Sequence, residues 1–205
     1  MIEVTLKLTL ATFNPAKTAR LRSLCDGLPV QIHEPDLTLP ILDETSATHL
    51  GNAVAKAIAC SHAMGGATLA SDGGLVIPVL GDRWESTLTH RATGQNVTDA
   101  ERARRLLARM RNIAAPQREA YWTEAIAVAR DGKLVCAWET DGMLGRIGDE
   151  FKQNPTAPEG FWADGVWETQ EGKKRWELNT SERIDSADPW AQLYDPVNRF
   201  LARMA

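Results

Sequence analysis

One segment near the start of the chain combines residue types that suit the binding of a phosphate group. Asn14 is a good helix N-cap, Pro15 suits the first helical position, and Lys17 falls in the first turn. A helix N-terminus has free N–H groups and a partial positive charge, so it disfavours a lysine unless an anion binds there too. The segment therefore indicates a phosphate site, and a capped helix with a solvated lysine is the alternative.

A second segment places a carboxylate beside two glycines. Asp72 follows an apolar stretch that is typical of a buried strand, and Gly73 and Gly74 come directly after it. This order predicts a strand over residues 67–71 that ends abruptly and leaves the carboxylate at the edge of the sheet, with backbone close by. A carboxylate placed there could hold Mg²⁺ or activate a water molecule. A plain Asp-Gly turn is the alternative.

Three other charged residues become candidate site residues only when they are considered together with these segments. Lys56 lies within a predicted helix, Glu44 in the loop before that helix, and Arg91 in an irregular stretch that contains glycine. An ordinary surface charge is the alternative for each of them. The sequence has no nucleophile motif and no Walker-type glycine loop, and the spacing of its histidines does not indicate a metal site.

The bulk composition excludes several classes of protein. The formal net charge of -4 argues against a surface that coats nucleic acid, although a local pocket of lysine and arginine could still bind a nucleotide. The three cysteines are widely spaced and form no disulfide framework, and we expect Cys60 and Cys136 in the core. With no signal peptide and no apolar run of membrane-spanning length, we expect a cytoplasmic protein with neither a membrane nor a nucleic-acid partner.

The elements that must position these residues follow from the periodicity and the turn signals. Strand, helix, strand, helix and strand come first, and a half rich in hairpins follows, which predicts a mixed α/β sheet with a cleft between its two parts. The predicted strands cover residues 4–10, 30–33, 67–71, 119–130, 133–140, 142–147, 166–169 and 174–178. The predicted helices cover residues 15–25, 50–64 and 98–111, with separate helical pieces that open at Asp188-Pro189 and Asp195-Pro196.

Taken in order, these segments resemble the inosine triphosphate pyrophosphatase family over about residues 10–193. The family's Thr-x-Asn-x-x-Lys and Asn-x-x-x-Lys-Ala patterns stand here at residues 12–17 and 52–57, and its Gly-Arg-Ile stands at residues 145–147. Three further family motifs have looser counterparts. They are Ser71-Asp72-Gly73-Gly74-Leu75, Thr89-His90-Arg91 and Gly160-Phe161-Trp162-Ala163-Asp164-Gly165.

The resemblance implies a fold, a reaction and a set of site residues. The fold is an elongated, twisted mixed sheet with flanking helices and a central cleft between two lobes, within a single domain over residues 1–205 that forms a homodimer. The reaction cuts a nucleoside triphosphate into the monophosphate and pyrophosphate, with Mg²⁺ held by Asp72 and Glu44. Asp72, which would orient or deprotonate water, and Lys56 are the implied catalytic residues. The implied substrate-binding residues are Thr12, Asn14, Lys17, Asn52, Gly73, Gly74, Arg91, Phe161, Trp162, Asp164, Arg183 and Asp188.

The chain departs from the family pattern on the metal side and on the base side. Gly51 and Ser71 stand where the family has metal-binding acids, so Mg²⁺ would depend on Asp72, the nucleotide and Glu44. The family's Ser-His-Arg is replaced by Ala187-Asp188-Pro189, and its lysine by Arg183. We therefore expect an altered base preference, in which Asp188 favours a donor such as an exocyclic amine.

Trp162 takes a glycine position of the family and could stack on a base, although a hydrophobic cluster of Trp162, Trp167, Trp176 and Trp190 is the alternative. The leading hypothesis is a divergent nucleoside-triphosphate pyrophosphatase. A nucleotide-binding protein without catalysis and a structural protein that keeps the fold are the alternatives. The leading hypothesis requires Lys17, Lys56 and Asp72 to converge on one hollow, and it fails if they open onto separate surfaces.

Overall fold

A computed structural model describes residues 6–34, 45–88, 97–155 and 162–205. The described strands are β1 (Leu6–Leu10), β2 (Val30–His33), β3 (Ala67–Val76), β4 (Glu119–Arg130), β5 (Lys133–Ile147) and β6 (Trp167–Glu168). The described α-helices are α1 (Pro15–Ser23), α2 (His49–Met64), α3 (Asp99–Met110), α4 (Trp162–Val166), α5 (Thr180–Asp185) and α6 (Pro189–Met204). Short 3₁₀ helices cover Pro78–Arg83, Ser86–Leu88, Ala115–Gln117 and Arg175–Glu177. In these parts of the chain no helix is both long and apolar enough to cross a membrane.

The six strands form one mixed sheet in the order β2-β1-β3-β4-β5-β6. β1 runs parallel to both β2 and β3, so α1 and α2 serve as crossover connections, as the alternation of strands and helices predicts. β4 and β5 form the predicted long hairpin, whose turn places Asp131 and Gly132 at positive φ, and β5 pairs antiparallel with β6. The expected mixed α/β fold is therefore confirmed.

The described residues divide into two compact units, and the predicted arrangement of two lobes in one domain stays a prediction. The first unit comprises Met1–Gly73, Glu124–Thr140 and Trp190–Ala205. On one face of its strands, Leu8, Leu10, Leu69, Ile126 and Val128 form a core with apolar residues of α1 and α6. On the other face, small alanines of β3 and β4 pack against alanines of α2. The helices of this unit therefore cover both faces of its part of the sheet.

The second unit comprises Gly74–Thr123 and Asp141–Pro189, and tryptophans dominate its core. The ring of Trp162 meets that of Trp84 edge-on, with ring centres 6.2 Å apart. Trp84 and Trp167 are buried, and their indole N–H groups donate to the carbonyls of Leu75 and Ala120. Each buried indole donor of these two residues therefore has a partner, as a packed core requires.

Several sequence-based predictions are wrong. β3 does not end at Asp72 but continues to Val76, because Gly73 and Gly74 adopt extended backbone rather than the positive φ of a turn. Pro196 lies inside α6 instead of opening a second helical piece. Cys136 is only half-buried, whereas Cys60 is buried as expected.

The second predicted hairpin is only partly formed. The turn exists, since the Thr169 N–H donates to the Lys173 carbonyl and Gly172 has positive φ. The returning segment, however, is the 3₁₀ helix Arg175–Glu177 rather than a strand. The side chain of Glu177 accepts from the Lys174 N–H and so favours a helical start.

The Gly-Arg-Ile motif of residues 145–147 supports the packing of β5 against β6. A Cβ at Gly145 would lie 2.3 Å from the Glu168 carbonyl oxygen and 2.7 Å from the Trp167 ring. Arg146 donates to the Glu168 carboxylate at 3.0 Å, and Ile147 pairs with Trp167. In this part of the second unit, glycine is the residue that permits the close approach.

Replacing Gly145 with alanine should lower the free energy of unfolding by about 1–3 kcal/mol, because the added methyl group overpacks a closed contact. Denaturant unfolding of the variant against the parent measures the loss. Leu144→Ala is the matched control, since Leu144 is 57% exposed and surface truncations change stability by about 0.5 kcal/mol at most. Equal stability of Gly145→Ala and the parent would contradict the close approach.

Candidate active site

The carboxylate of Asp72 is the centre of a cluster of nitrogen donors in the first unit. Its Oδ1 accepts from the Lys56 amine at 2.8 Å and lies 3.8 Å from the Lys17 amine. Its Oδ2 accepts from His49 Nδ1 at 2.8 Å and from Asn52 Nδ2 at 3.4 Å. Three charged groups that are far apart in the sequence thus converge on one point, as the leading hypothesis requires.

Three of these donors lie on α2, and their spacing places them on one face of that helix. His49, Asn52 and Lys56 stand at positions i, i+3 and i+7, which places them on one face of a helix. Thr48 caps this helix, since its side chain accepts from the Gly51 N–H. The Asn52 side-chain oxygen also accepts from the Ser46 N–H, which fixes the orientation of the amide toward Asp72.

The fourth donor comes from the start of α1. The Asn14 side-chain oxygen accepts from the Lys17 N–H at 3.4 Å, and the Asn14 carbonyl accepts from the Thr18 N–H. Asn14 is therefore the helix N-cap that the sequence predicts. Its own N–H donates to the Thr12 hydroxyl oxygen. This capped turn carries Lys17 to Asp72, so the partial positive charge of the helix N-terminus adds to the charges of the two lysines.

The electrostatics of the cluster favour an ionised Asp72 and an additional anion. Burial on its own raises the pKa of Asp72, but the hydrogen bond from His49 and the charges of Lys17 and Lys56 hold that pKa well below its usual range. Because the carboxylate is ionised and accepts only, His49 Nδ1 is the donor in their bond. Two amines therefore surround one carboxylate, and the remaining positive charge suits a phosphate group.

A second buried carboxyl group, that of Glu124 on β4, has a raised pKa rather than a lowered one. Glu124 is 8% exposed and its Oε1 has no hydrogen-bond partner within the described parts of the chain. Burial raises the pKa of Glu124 to about 7, against the lowering effect of the charges of Lys17 and Arg20. The charge of Asp72 raises this pKa further. The pKa values of these two buried carboxyls are therefore shifted in opposite directions, that of Asp72 downward and that of Glu124 upward.

Asp164 and Asp188, both predicted to bind substrate, form ion pairs within the second unit. The guanidinium of Arg175 lies 3.1 Å from the Asp188 carboxylate and 3.5 Å from that of Asp164, and all three side chains are buried. Arg175 also lies over the Trp122 ring, with its central carbon 5.2 Å from the ring centre. Asp188 thus accepts hydrogen bonds from Arg175 in this structure, and its contact with a base stays a prediction.

The other predicted site residues are placed as follows. Trp162 is 3% exposed, which favours the alternative of a core tryptophan over a base-stacking role. The Arg183 side chain is exposed and donates to the Leu178 and Arg175 carbonyls of its own unit. Gly73 and Gly74 continue β3 after Asp72. Glu44, Arg91 and Phe161 lie outside the described residues.

Sequence reasoning missed three residues: His49, Glu124 and Arg175. The place of His49 in the site could have been predicted, because it precedes Asn52 and Lys56 at a spacing that puts all three on one face of a helix. The sequence indicates Glu124 more weakly, since Glu124 is a lone charge at the start of the apolar stretch of residues 125–129. Arg175 follows two lysines and precedes Trp176, a pattern typical of a solvated segment, so its burial had no signal.

The raised pKa of Glu124 predicts the pH dependence of stability. The folded state holds its proton up to about pH 7, whereas the unfolded chain releases it near its ordinary value, so stability falls as the pH rises between these values. Glu124→Gln, which is neutral at every pH, should therefore be more stable than the parent at pH 8 by up to about 3 kcal/mol, and the difference should vanish toward pH 4 to 5.

Denaturant unfolding at several pH values checks this expectation. Glu119→Gln, the same change at an exposed position of the same strand, is the control and should show no pH-dependent gain. A stability difference for Glu124→Gln that stays constant between pH 5 and 8 would mean that the carboxyl titrates normally.

Comparison with known proteins agrees with the motifs. The model of the Ham1 family matches residues 8–182. A dITP/XTP pyrophosphatase from Symbiobacterium thermophilum is 30% identical over 177 residues, which cover 86% of this chain and 86% of the relative. A dITP/XTP pyrophosphatase from Caulobacter vibrioides is 33% identical over 160 residues, covering 75% of this chain and 82% of the relative.

The fold has solved counterparts as well. A HAM1 protein from Coxiella burnetii superposes with a TM-score of 0.78 at 24% identity, covering 95% of this chain and all of that one. At that identity the likeness concerns the fold alone. The match of the family model over most of the chain confirms the resemblance to inosine triphosphate pyrophosphatases, and the chain therefore belongs to the Ham1 family.

Proposed function

We propose that this protein hydrolyses a nucleoside triphosphate between its α and β phosphates and releases the monophosphate and pyrophosphate. The observation that carries the proposal is the meeting of Lys17 and Lys56 at the buried carboxylate of Asp72. Such a cluster has more positive than negative charge and so has room for an anion. The two relatives described above are dITP/XTP pyrophosphatases, which supports the same reaction.

The reaction asks the protein mainly to bind and orient charge. On binding, phosphate oxygens would take over part of the charge pairing that Lys17 and Lys56 now give to Asp72. The N-terminus of α1, capped by Asn14, adds N–H donors for the same phosphates. These donors would stabilise the charge that grows on the leaving pyrophosphate, and most of the rate enhancement would come from this fixed arrangement.

Asp72 holds two of these nitrogen donors in place. Its ionised carboxylate fixes the Lys56 amine and the His49 ring before a substrate arrives. Amines held in place need little reorganisation during the reaction, which is the source of their catalytic advantage. The predicted roles of Asp72 and Lys56 as catalytic residues and of Thr12, Asn14, Lys17 and Asn52 in substrate binding belong to this proposal.

The described residues do not fit a Mg²⁺ ion that is held by the protein itself. Both oxygens of Asp72 already accept from or pair with nitrogen donors. Across residues 6–34, 45–88, 97–155 and 162–205, no three His, Cys, Asp or Glu side chains are grouped to hold a metal ion. Glu44, the second predicted ligand, lies outside these ranges. A Mg²⁺ ion that accompanies the triphosphate would belong to the substrate, coordinated by phosphate oxygens and water.

The base preference is part of the proposal and differs from that of the family. Asp188 takes the place of a family base-binding segment, and it pairs with Arg175 together with Asp164. A fully paired carboxylate is a weaker attraction for an exocyclic amine than an unpaired one. The proposal therefore includes a base preference set by groups other than the family's His-Arg pair. A homodimer in the cytoplasm, as expected from the resemblance and the sequence, completes the proposal.

The proposal is tested by measuring pyrophosphate and monophosphate release from a panel of standard and deaminated triphosphates, with Mg²⁺ and with Mn²⁺. We expect turnover of at least one triphosphate. Lys56→Met should lower kcat/KM by roughly 100-fold or more, because it removes one donor to the charged transition state. Lys133→Met, which removes an exposed lysine of β5, is the matched control and should retain parental activity.

The alternatives give different results in the same experiment. A nucleotide-dependent rise of the melting temperature without any turnover would identify a nucleotide-binding protein without catalysis. This alternative is favoured by one observation: the hydrogen bond from His49 and the charges of Lys17 and Lys56 hold the pKa of Asp72 well below its usual range, which makes that carboxylate a weak base toward water. Neither turnover nor a rise of the melting temperature would leave only a structural role.

A further inference from the structure

His49 has the largest of the buried side chains of α2. The other buried residues of this helix are small or short, and they are Asn52, Ala53, Ala57, Cys60 and Ser61. Ala53 and Ala57 belong to one apolar cluster with Ala70 of β3. Because side chains two residues apart on a strand share a face, Asp72 lies on the same face of β3 as Ala70. His49 precedes Ala53 by one helical turn, and its ring meets Asp72 instead of an apolar neighbour.

The hydrogen bonds of Asp72 are distributed unequally over its two oxygens. Oδ2 accepts from His49 Nδ1 at 2.8 Å and from Asn52 Nδ2 at 3.4 Å, which uses both of its lone pairs. Oδ1 accepts from the Lys56 amine at 2.8 Å, whereas the Lys17 amine at 3.8 Å forms an ion pair beyond hydrogen-bonding distance. Within the described parts of the chain, Oδ1 therefore keeps one lone pair, and the Lys17 amine lies close to the same oxygen.

The bond from His49 is the stronger of the two constraints on Oδ2. It is the shorter bond, and the hydrogen-bond energy falls as the distance grows. Burial raises the pKa of Asp72, and the hydrogen bond from His49 is the largest of the influences that lower it. Without His49, Oδ2 would keep only the long bond from Asn52, and the carboxylate would turn toward the lysine amines to satisfy its charge.

The burial of His49 limits how it can affect a reaction. Its side chain is 5% exposed, as is that of Asp72. The ring therefore offers almost no surface to a triphosphate, and its short contact with Asp72 is the route by which it can act on one.

We propose that His49 is a positioning residue for Asp72, an inference that rests on the proposed triphosphate hydrolysis. By holding Oδ2, His49 fixes the plane of the carboxylate and keeps the remaining lone pair of Oδ1 on the side of the two lysine amines. The attacking water donates a hydrogen bond to this lone pair and is thereby oriented toward the phosphorus. An ionised carboxylate can orient a water molecule in this way even where it is a weak base, because accepting a hydrogen bond requires no proton transfer.

Two amide variants test the proposal on the best triphosphate of the panel, because they place a nitrogen donor differently. The side-chain nitrogen of asparagine is as many bonds from Cβ as Nδ1 of histidine, and that of glutamine is as many bonds from Cβ as Nε2. His49→Asn should therefore keep the donor to Asp72 and retain kcat within about threefold, whereas His49→Gln should lower kcat by roughly 10-fold or more. KM should change by about threefold at most in both, since Lys17 and Lys56 are intact.

His49→Phe keeps the ring and removes both of its nitrogen atoms. Its kcat should fall as in His49→Gln, by roughly 10-fold or more. His62→Phe, the same change at an exposed position of the same helix, is the matched control and should retain the parental kcat. The triphosphate-induced rise of the melting temperature should persist in all variants, which shows that each of them folds and binds. If the phenylalanine variant does not fold, the difference between the two amide variants decides.

A purely structural role for His49 gives a different pattern. A donor that only compensates the burial of Asp72 would lower the free energy of unfolding of His49→Phe and His49→Gln without changing kcat, and this result refutes the proposal. Equal losses of kcat in His49→Asn and His49→Gln refute it too, because the place of the donor would then not matter. A rise of KM with an unchanged kcat would assign His49 to binding and has the same consequence.

Failure of this inference can be told apart from failure of the proposed function. A parent that hydrolyses a triphosphate while all three His49 variants keep its kcat refutes the role of His49 alone. A parent that releases no pyrophosphate from any triphosphate of the panel refutes the proposed function, and the role of His49 with it.

Discussion

The buried, ionised carboxylate of Asp72 needs hydrogen-bond donors around it, and this need determines how the elements of the candidate site are arranged. Removing an ionised carboxylate from water costs several kcal/mol unless donors fill its lone pairs. Here the donors come from two helices: Lys17 from α1, and His49, Asn52 and Lys56 from α2. This requirement explains why α2 presents three polar side chains at helical spacing toward β3.

How far the sequence predicts the site depends on the range of the interaction concerned. The cap at Asn14, the lysine in the first turn and the helix around Lys56 are local features with known signals, and the structure has all of them. The convergence of Lys17 and Lys56 on Asp72 is not local, and it could be expected only through the ordered resemblance to a family. Glu124 was missed because its burial depends on strand neighbours that the sequence does not identify.

The errors of the fold prediction have the same origin. Asp72-Gly73-Gly74 is typical of a turn, but both glycines take extended backbone because the strand continues within a sheet. Pro196 favours a helix start, yet it is accommodated within α6. Arg175 follows two lysines as a solvated residue would, but the carboxylates of Asp164 and Asp188 bury it. For Arg175, the two ion pairs are tertiary contacts that no local pattern indicates.

Two buried carboxyls of the first unit, those of Asp72 and Glu124, show how similar surroundings produce different pKa values. Lys17 and His49 act on both Asp72 and Glu124, and each of these contributions lowers the pKa of the carboxyl concerned. The difference lies in the hydrogen bonds: Asp72 accepts them and is held ionised, whereas Glu124 lacks a partner at Oε1 and keeps its proton to about pH 7. Environments that move two pKa values apart are how proteins assign separate roles to similar groups. Asp72 is thereby fitted to hold cations in place, whereas burial raises the pKa of Glu124 to about 7.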